Sequence, residues 1–93
     1  MKIPKEYTGN MVISVFKLES GMCCAYEFNS QKDYETIGKL REEMLEKRGE
    51  KKITVYTGVN DKFYEQLKTK LEKTKRNQIT NEQELTDLLT IKK

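Results

Sequence analysis

Two apolar runs separated by a short turn limit the folds open to this chain more than any other feature. Residues 11–18 read MVISVFKL and residues 22–28 read MCCAYEF, and both runs are rich in β-branched, aromatic and other apolar side chains. Residues 19–21 (ESG) lie between them, and Gly21 can adopt the left-handed conformation that a three-residue hairpin loop needs. The pattern therefore predicts a β-hairpin. Its register pairs Leu18 with Met22, Phe16 with Cys24, Ser14 with Tyr26 and Val12 with Phe28.

The segment after the hairpin has the features of a helix over residues 31–48. Ser30 is a suitable N-cap, and Gly49 is a suitable C-terminal stop. Gly38 lies in the middle of the helix, where glycine costs about 1 kcal/mol relative to alanine, so we expect it to mark close packing against the sheet. Apolar residues recur at spacings of three and four and predict the buried face, whereas the charged residues, Glu42 among them, are expected to face outward. The predicted buried face consists of Tyr34, Ile37, Leu40, Met44 and Leu45.

The second half of the chain predicts one more strand and two more helices. Residues 52–57 (KITVYT) have the composition of a strand. Asn60 or Asp61 can cap a helix that continues to about residue 75. Its narrow apolar face consists of Phe63, Tyr64, Leu67 and Leu71. Residues 80–83 offer a capping box for a short third helix, which either docks on the domain or remains undocked.

These elements predict an α+β fold of order ββαβα(α). The connection from the second strand through the first helix is long enough to make the third strand parallel to the second. We therefore expect a three-stranded mixed sheet with the helices packed on one face. The 93 residues suffice for one domain, with a core over 11–76, an N-terminal segment over 1–10 and the short helix, docked or mobile, within 77–93.

The composition argues against catalysis, metal binding and cofactor binding. The chain has no histidine, and neither Ser14 nor Ser20 lies in a nucleophile motif. Its two cysteines, Cys23 and Cys24, are adjacent in a predicted strand, where they point to opposite faces and are expected to act as small apolar side chains. We therefore expect no enzyme activity, no metal site and no cofactor. No apolar run reaches the length of a membrane span, and the N-terminus lacks a signal-peptide pattern, so we expect a cytoplasmic protein.

The face of the sheet opposite the predicted helices is the first candidate site. A one-sided α+β arrangement leaves this face uncovered, and here it would be half apolar. The N-terminal segment with Ile3 and Tyr7, the C-terminal helix, a second copy of the chain or a foreign partner could cover it. The candidate partner-binding residues are Ile13, Val15, Lys17, Ala25, Thr54 and Tyr56.

The second candidate site is a basic patch, centred on the second helix. The chain carries a net charge of +3, and residues 51–76 hold eight lysines and arginines against three acidic residues. Such a patch could contact phosphates or an acidic protein surface, although a solvated lysine-rich helix is the simpler interpretation. The patch comprises Lys62, Lys68, Lys70, Lys73, Lys75 and Arg76.

The sequence thus favours a non-catalytic protein-binding module. In size, in charge-rich composition and in its lack of histidine the chain resembles the small accessory proteins of phages and mobile elements, among them inhibitors of bacterial defence systems such as anti-CRISPR proteins. That resemblance rests on no motif and implies a stoichiometric inhibitor or accessory protein. Two alternatives stay open: a nucleic-acid-binding domain that uses the basic helix, and a small-molecule or anion sponge at a homodimer interface.

Overall fold

A computed structural model of the chain describes residues 3–74 and 79–89. Strand β1 covers Thr8–Lys17, β2 covers Cys23–Phe28 and β3 covers Lys51–Val59. Helix α1 is continuous and consists of Gln31–Asp33, a π-helical turn at Tyr34–Gly38, and Lys39–Lys47. Helix α2 covers Asp61–Lys73 and α3 covers Glu82–Leu89, and a 3₁₀ turn at Lys5–Tyr7 precedes β1. The α+β class and the ββαβα order with a further helix are confirmed.

The predicted hairpin and its register are also confirmed. Phe16 pairs with Cys24, Ser14 with Tyr26 and Val12 with Phe28. At the loop, the backbone N–H of Leu18 donates to the carbonyl oxygen of Met22 at 2.8 Å. Gly21 has a φ of 94°, which is the left-handed conformation that the three-residue loop needs.

The sheet is antiparallel throughout, so the predicted mixed sheet is wrong. The strand order is β2-β1-β3, and both outer strands run antiparallel to β1. Consequently β3 has the same direction as β2, as the crossover through α1 predicts. However, β3 joins the free edge of β1 instead of pairing with β2, and the sheet has no parallel pair.

The helices lie on both faces of the sheet, which corrects the expected one-sided arrangement. Residues 11–16 of β1 are all buried, and alternate side chains of this central strand point to opposite faces. A central strand that is apolar on both sides must be covered on both sides. Tyr34 of α1 packs with Val12 and Phe28 on one face, whereas α2 and α3 pack on the other face.

The face that carries Ile13 and Val15 is covered by three segments. Phe63, Leu67 and Leu71 of α2 provide the largest part of the cover. Ile79 and Leu85 add to it from the C-terminal part, so α3 is docked, and Ile3 and Tyr7 pack from the N-terminal segment. Among residues 3–74 and 79–89, no helix has the length and apolar character needed to cross a membrane.

Gly38 allows α1 to approach the sheet closely, as its position in the sequence predicts. A Cβ atom on Gly38 would lie 2.7 Å from Cδ1 of Tyr34 and 3.1 Å from Cζ of Phe28. The two rings pack edge to face, with centroids 5.5 Å apart, and neither can move away without disturbing the other.

We expect Gly38→Ala to destabilise the protein by about 1–3 kcal/mol, because the added methyl group overpacks the contact between α1 and the sheet. The same change at an open helical position would stabilise the helix by about 1 kcal/mol. Urea denaturation followed by circular dichroism measures the difference. Lys39→Ala, at the next and exposed position, is the control and should be nearly neutral. A Gly38→Ala variant as stable as the wild type would contradict the close approach.

Candidate binding surface

The sheet-face residues predicted to bind a partner lie mostly inside the protein. Ile13 and Val15 are fully buried and Tyr56 is 4% exposed, while Lys17, Ala25 and Thr54 are half-buried. Burial, with a further contribution from Glu82, raises the pKa of Tyr56 to about 12. This face is covered by α2 and by two of the segments considered for it from the sequence, the N-terminal segment and the C-terminal helix α3.

The basic residues of α2 do not form one continuous surface. Lys68 lies on the flank that also carries acidic residues: its Nζ is 3.7 Å from Oε2 of Glu65 and 4.8 Å from the ring centroid of Tyr64. Helical spacing places Lys62, Lys70 and Lys73 on the other flank. The buried residues Phe63, Leu67 and Leu71 lie between the two flanks. Lys75 and Arg76 lie outside the described residues. Nucleic-acid binding by this helix stays a prediction.

The two cysteines are free thiols, and both are half-buried in β2. Burial raises the pKa of Cys23, with Lys17 opposing the rise, and burial together with Glu50 raises the pKa of Cys24. Both shifts lower the fraction of reactive thiolate at neutral pH. Within the described part of the chain, no group of three or more Cys, Asp or Glu side chains is placed to hold a metal ion.

Helix α1 is turned relative to the orientation that its apolar pattern predicts. Tyr34 and Leu45 face the sheet as predicted. Glu42 was predicted to face outward, but it lies on the same side as these two residues and is 7% exposed. The other three predicted core residues point to solvent. Ile37, Leu40 and Met44 are 60%, 64% and 56% exposed.

The Glu42 carboxylate is held by three donors from three elements. Its Oε2 accepts a hydrogen bond from the Tyr34 hydroxyl at 2.6 Å and another from Ser14 Oγ of β1 at 3.1 Å. Its Oε1 lies 3.2 Å from Nζ of Lys52 in β3. Burial and the Glu42 hydrogen bond raise the pKa of Tyr34, so the phenol remains a donor. A buried carboxylate with this set of partners is compensated, whereas an unpaired one would not be tolerated.

The magnitudes explain how this polar group prevails over the apolar pattern. A hydrogen bond to a charged group contributes about 1.5–3 kcal/mol, and Glu42 accepts two that are buried. The Lys52 contact adds less, because the Lys52 side chain is 39% exposed and solvent screens the pair. Full burial of an Ile, Leu or Met side chain contributes about 1.5–3 kcal/mol, and three of them stay exposed. The two free-energy contributions are similar in size. The Glu42 contacts can therefore hold α1 in an orientation that leaves Ile37, Leu40 and Met44 exposed to solvent.

We name Ile37, Leu40 and Met44 the apolar stripe. Their spacings of three and four residues place them on one side of α1. Burial and Glu50 raise the pKa of Tyr26 in β2, and Arg41 and Arg48 of α1 oppose that rise. The apolar stripe itself points to solvent, away from the Glu42 contacts with the sheet.

A groove lies along the β2 edge of the sheet, on the face that α2 covers. Its volume is about 330 Å³, and it separates residues 21–25 from the C-terminal half of α2. Cys23, Ala25 and Leu71 contribute apolar walls, and Lys68 and Glu72 contribute polar ones. Met22, which is 51% exposed, is at the end of this groove.

The apolar stripe was missed because periodicity alone assigned these residues to the core. One sequence signal favours the observed orientation: Tyr34, Gly38 and Glu42 recur at intervals of four and so share a helix face. Ser14, a single hydroxyl within an apolar strand, is the complementary signal on the sheet.

No protein-family model, curated protein or solved structure matches this chain. The function proposed below is therefore based on the surface geometry alone.

Tyr34→Phe should lower the free energy of unfolding by about 1.5–3 kcal/mol, because it leaves the buried Glu42 carboxylate without its shortest hydrogen bond. Urea denaturation measures the loss. The control is Tyr64→Phe, whose hydroxyl has no hydrogen-bond partner among the described residues and whose removal should be nearly neutral. Equal effects of the two substitutions would contradict the role of the Tyr34 contact.

We expect Cys23 and Cys24 to react with iodoacetamide more slowly than free cysteine at pH 7, because their raised pKa values lower the thiolate fraction. The rate should continue to rise with pH beyond about 8.5, where an unperturbed thiol is half ionised. Peptide mass spectrometry after timed alkylation gives both rates, with guanidinium-unfolded protein as the control. Half-maximal reactivity of either thiol below that pH would disagree with the burial.

Proposed function

We propose that this chain is a non-catalytic protein-binding module whose contact surface is the apolar stripe on α1. The observation that supports it is the exposure of Ile37, Leu40 and Met44 on a helix whose opposite side is fixed against the sheet. Helices that dock into grooves present anchor side chains at this spacing. A stripe of this kind is costly to leave in water unless another surface covers it.

The proposed occupant is an apolar groove on another protein, with carboxylates at its rim. Arg41, Lys47 and Arg48 are exposed beside or just beyond the apolar stripe. Among the described residues the ion pairs are Lys52 with Glu42 and Lys68 with Glu65, so these three cations have no carboxylate within 4 Å there. Exposed Glu43 also lies beside the apolar stripe, but the three cations outnumber it and favour an acidic rim.

A groove suits the apolar stripe better than a second copy of the same helix does. Stable interfaces bury about 800 Å² per partner. Two convex helices would cover little beyond three side chains each, whereas a concave partner also covers the flanks of α1. Pairing with a second copy through the stripe is therefore an outcome of the test below and not the proposal.

The candidate catalytic groups offer little support for an enzyme. Ser14 is buried and donates to Glu42, whose carboxylate is itself occupied by three donors. The cysteine thiols have raised pKa values. Binding without chemistry is the mode of action of a stoichiometric inhibitor or accessory protein, and we place the chain in that class within this proposal.

Two variants test the proposal, each with one photo-crosslinking residue. The first carries it at position 40 in the apolar stripe, and the control carries it at position 66, where Gln66 is exposed on α2. We expect extract from the source cells to yield a protein cross-linked at 40 and not at 66. The captured protein is then purified, and its affinity is measured by calorimetry for wild type, Leu40→Glu and Gln66→Glu. Leu40→Glu should weaken binding by about 2 kcal/mol or more, since it places a charge at the centre of the contact.

Gln66→Glu adds the same charge on another face and should leave the affinity unchanged. Equal weakening by both variants would indicate a general charge effect and would contradict the proposed surface. Cross-links at position 40 to the chain itself, together with a dimer in sedimentation that Leu40→Glu dissociates, would show that a second copy is the occupant. Capture of no protein at position 40 would overturn the proposal.

A further inference from the structure

The outer edge of β2 has unpaired backbone groups. The hydrogen bond from Leu18 to Met22 and the register of the hairpin direct the N–H and C=O groups of Cys24, Tyr26 and Phe28 toward β1. The same groups of Cys23, Ala25 and Glu27 therefore point away from the sheet. Among the described residues no backbone hydrogen bond from these three residues to a loop, turn or helix occurs.

The two edges of the sheet differ in how well they are protected. β3 begins with Lys51 and Lys52, and has a bulge at Ile53, where Thr54 pairs with Val15 but Lys52 with Phe16. Near the end of β3, Gly58 has a φ of 71°, which makes the backbone of this edge irregular. Lysines, bulges and irregular backbone are the features that stop an edge strand from pairing. β2 has no lysine, no proline and no bulge, and Glu27 is its one charged residue.

Apolar surface lies on both sides of this unprotected edge. The 330 Å³ groove between residues 21–25 and α2 borders it on one face of the sheet. On the other face, the half-buried ring of Tyr26 belongs to β2 itself. A strand added to β2 would direct alternate side chains to these two places, which is how strand-addition sites combine backbone hydrogen bonds with side-chain pockets.

We propose that β2 accepts an extended segment of the partner protein as a fourth strand, with a large apolar side chain in the groove and the alternate side chains beside Tyr26 on the other face. The inference rests on the proposed function, because it states how the same partner is held. It adds a strand of defined chemistry: alternating side chains, at least one of them large and apolar, beside the cations Lys68 and Arg41.

The groove favours a foreign segment over a second copy of β2. A second β2 paired antiparallel about Ala25 would present Cys23, Ala25 and Glu27 to the groove side. Two of these side chains are small and the third is charged. They would leave most of the 330 Å³ empty, and empty apolar space lowers the stability of an interface.

Peptides displayed at random serve as the probe, so that the test does not need the natural partner. A phage-displayed library of eight-residue sequences is selected on the full chain, and the enriched peptides are synthesised. We expect alternating sequences with a large apolar residue. On binding, hydrogen exchange should slow at the amides of Ala25 and Glu27.

The decisive variant is Ala25→Pro, which removes an outward N–H and leaves the hydrogen bonds between β1 and β2 in place. It should weaken peptide binding by about tenfold or more. The matched control is Thr57→Pro on β3, where register also places the N–H outward, and it should bind as wild type does. Circular dichroism confirms that both variants fold.

Three results would overturn the inference: no enriched peptide, equal binding by Ala25→Pro and wild type, or a wild-type dimer in sedimentation that Ala25→Pro dissociates. The last would assign the edge to a second copy. Leu40→Glu separates this inference from the proposed function. Peptides that need the Ala25 amide but tolerate Leu40→Glu would support strand addition and argue against the apolar stripe as the contact surface.

Discussion

The Glu42 carboxylate determines which side of α1 faces the sheet, and the surface chemistry of the molecule follows from that choice. Its partners come from α1, β1 and β3, so the contact also connects the helix to two of the three strands. A leucine at this position would pack against the sheet but would define the rotation of the helix less sharply. Polar contacts have narrow geometry, whereas apolar contacts tolerate several packings.

The elements that local pattern determines were predictable. The hairpin register follows from two apolar runs and the three-residue loop that ends at Gly21, because the loop length decides which residues pair. The first helix follows from its caps and its periodicity. The close approach at Gly38 follows from the presence of a helix-weakening residue where no turn is needed.

The errors all concern contacts between residues distant in sequence. The crossover length fixes the direction of β3 but not its neighbour, so the choice of β1 over β2 lay outside the local signals. The sequence showed that the second face of the sheet is half apolar, but no local signal assigned α2 to that face and α1 to the other. The apolar stripe escaped prediction because Ser14 and Glu42 are 28 residues apart, and no periodicity indicates a hydrogen bond between them.

The central position of β1 also has a consequence for the order of folding. β1 emerges from the ribosome first among the strands, and β2 follows after a loop of a few residues, so that hairpin can close within microseconds. The other edge of β1 stays unpaired until α1 and β3 have been synthesised. Until the helices that follow it are made, the most apolar strand of the chain has one open edge and two uncovered faces, which is the state most prone to intermolecular pairing. The short loop at Gly21 thus protects the nascent chain by keeping one of the two edges paired from the start.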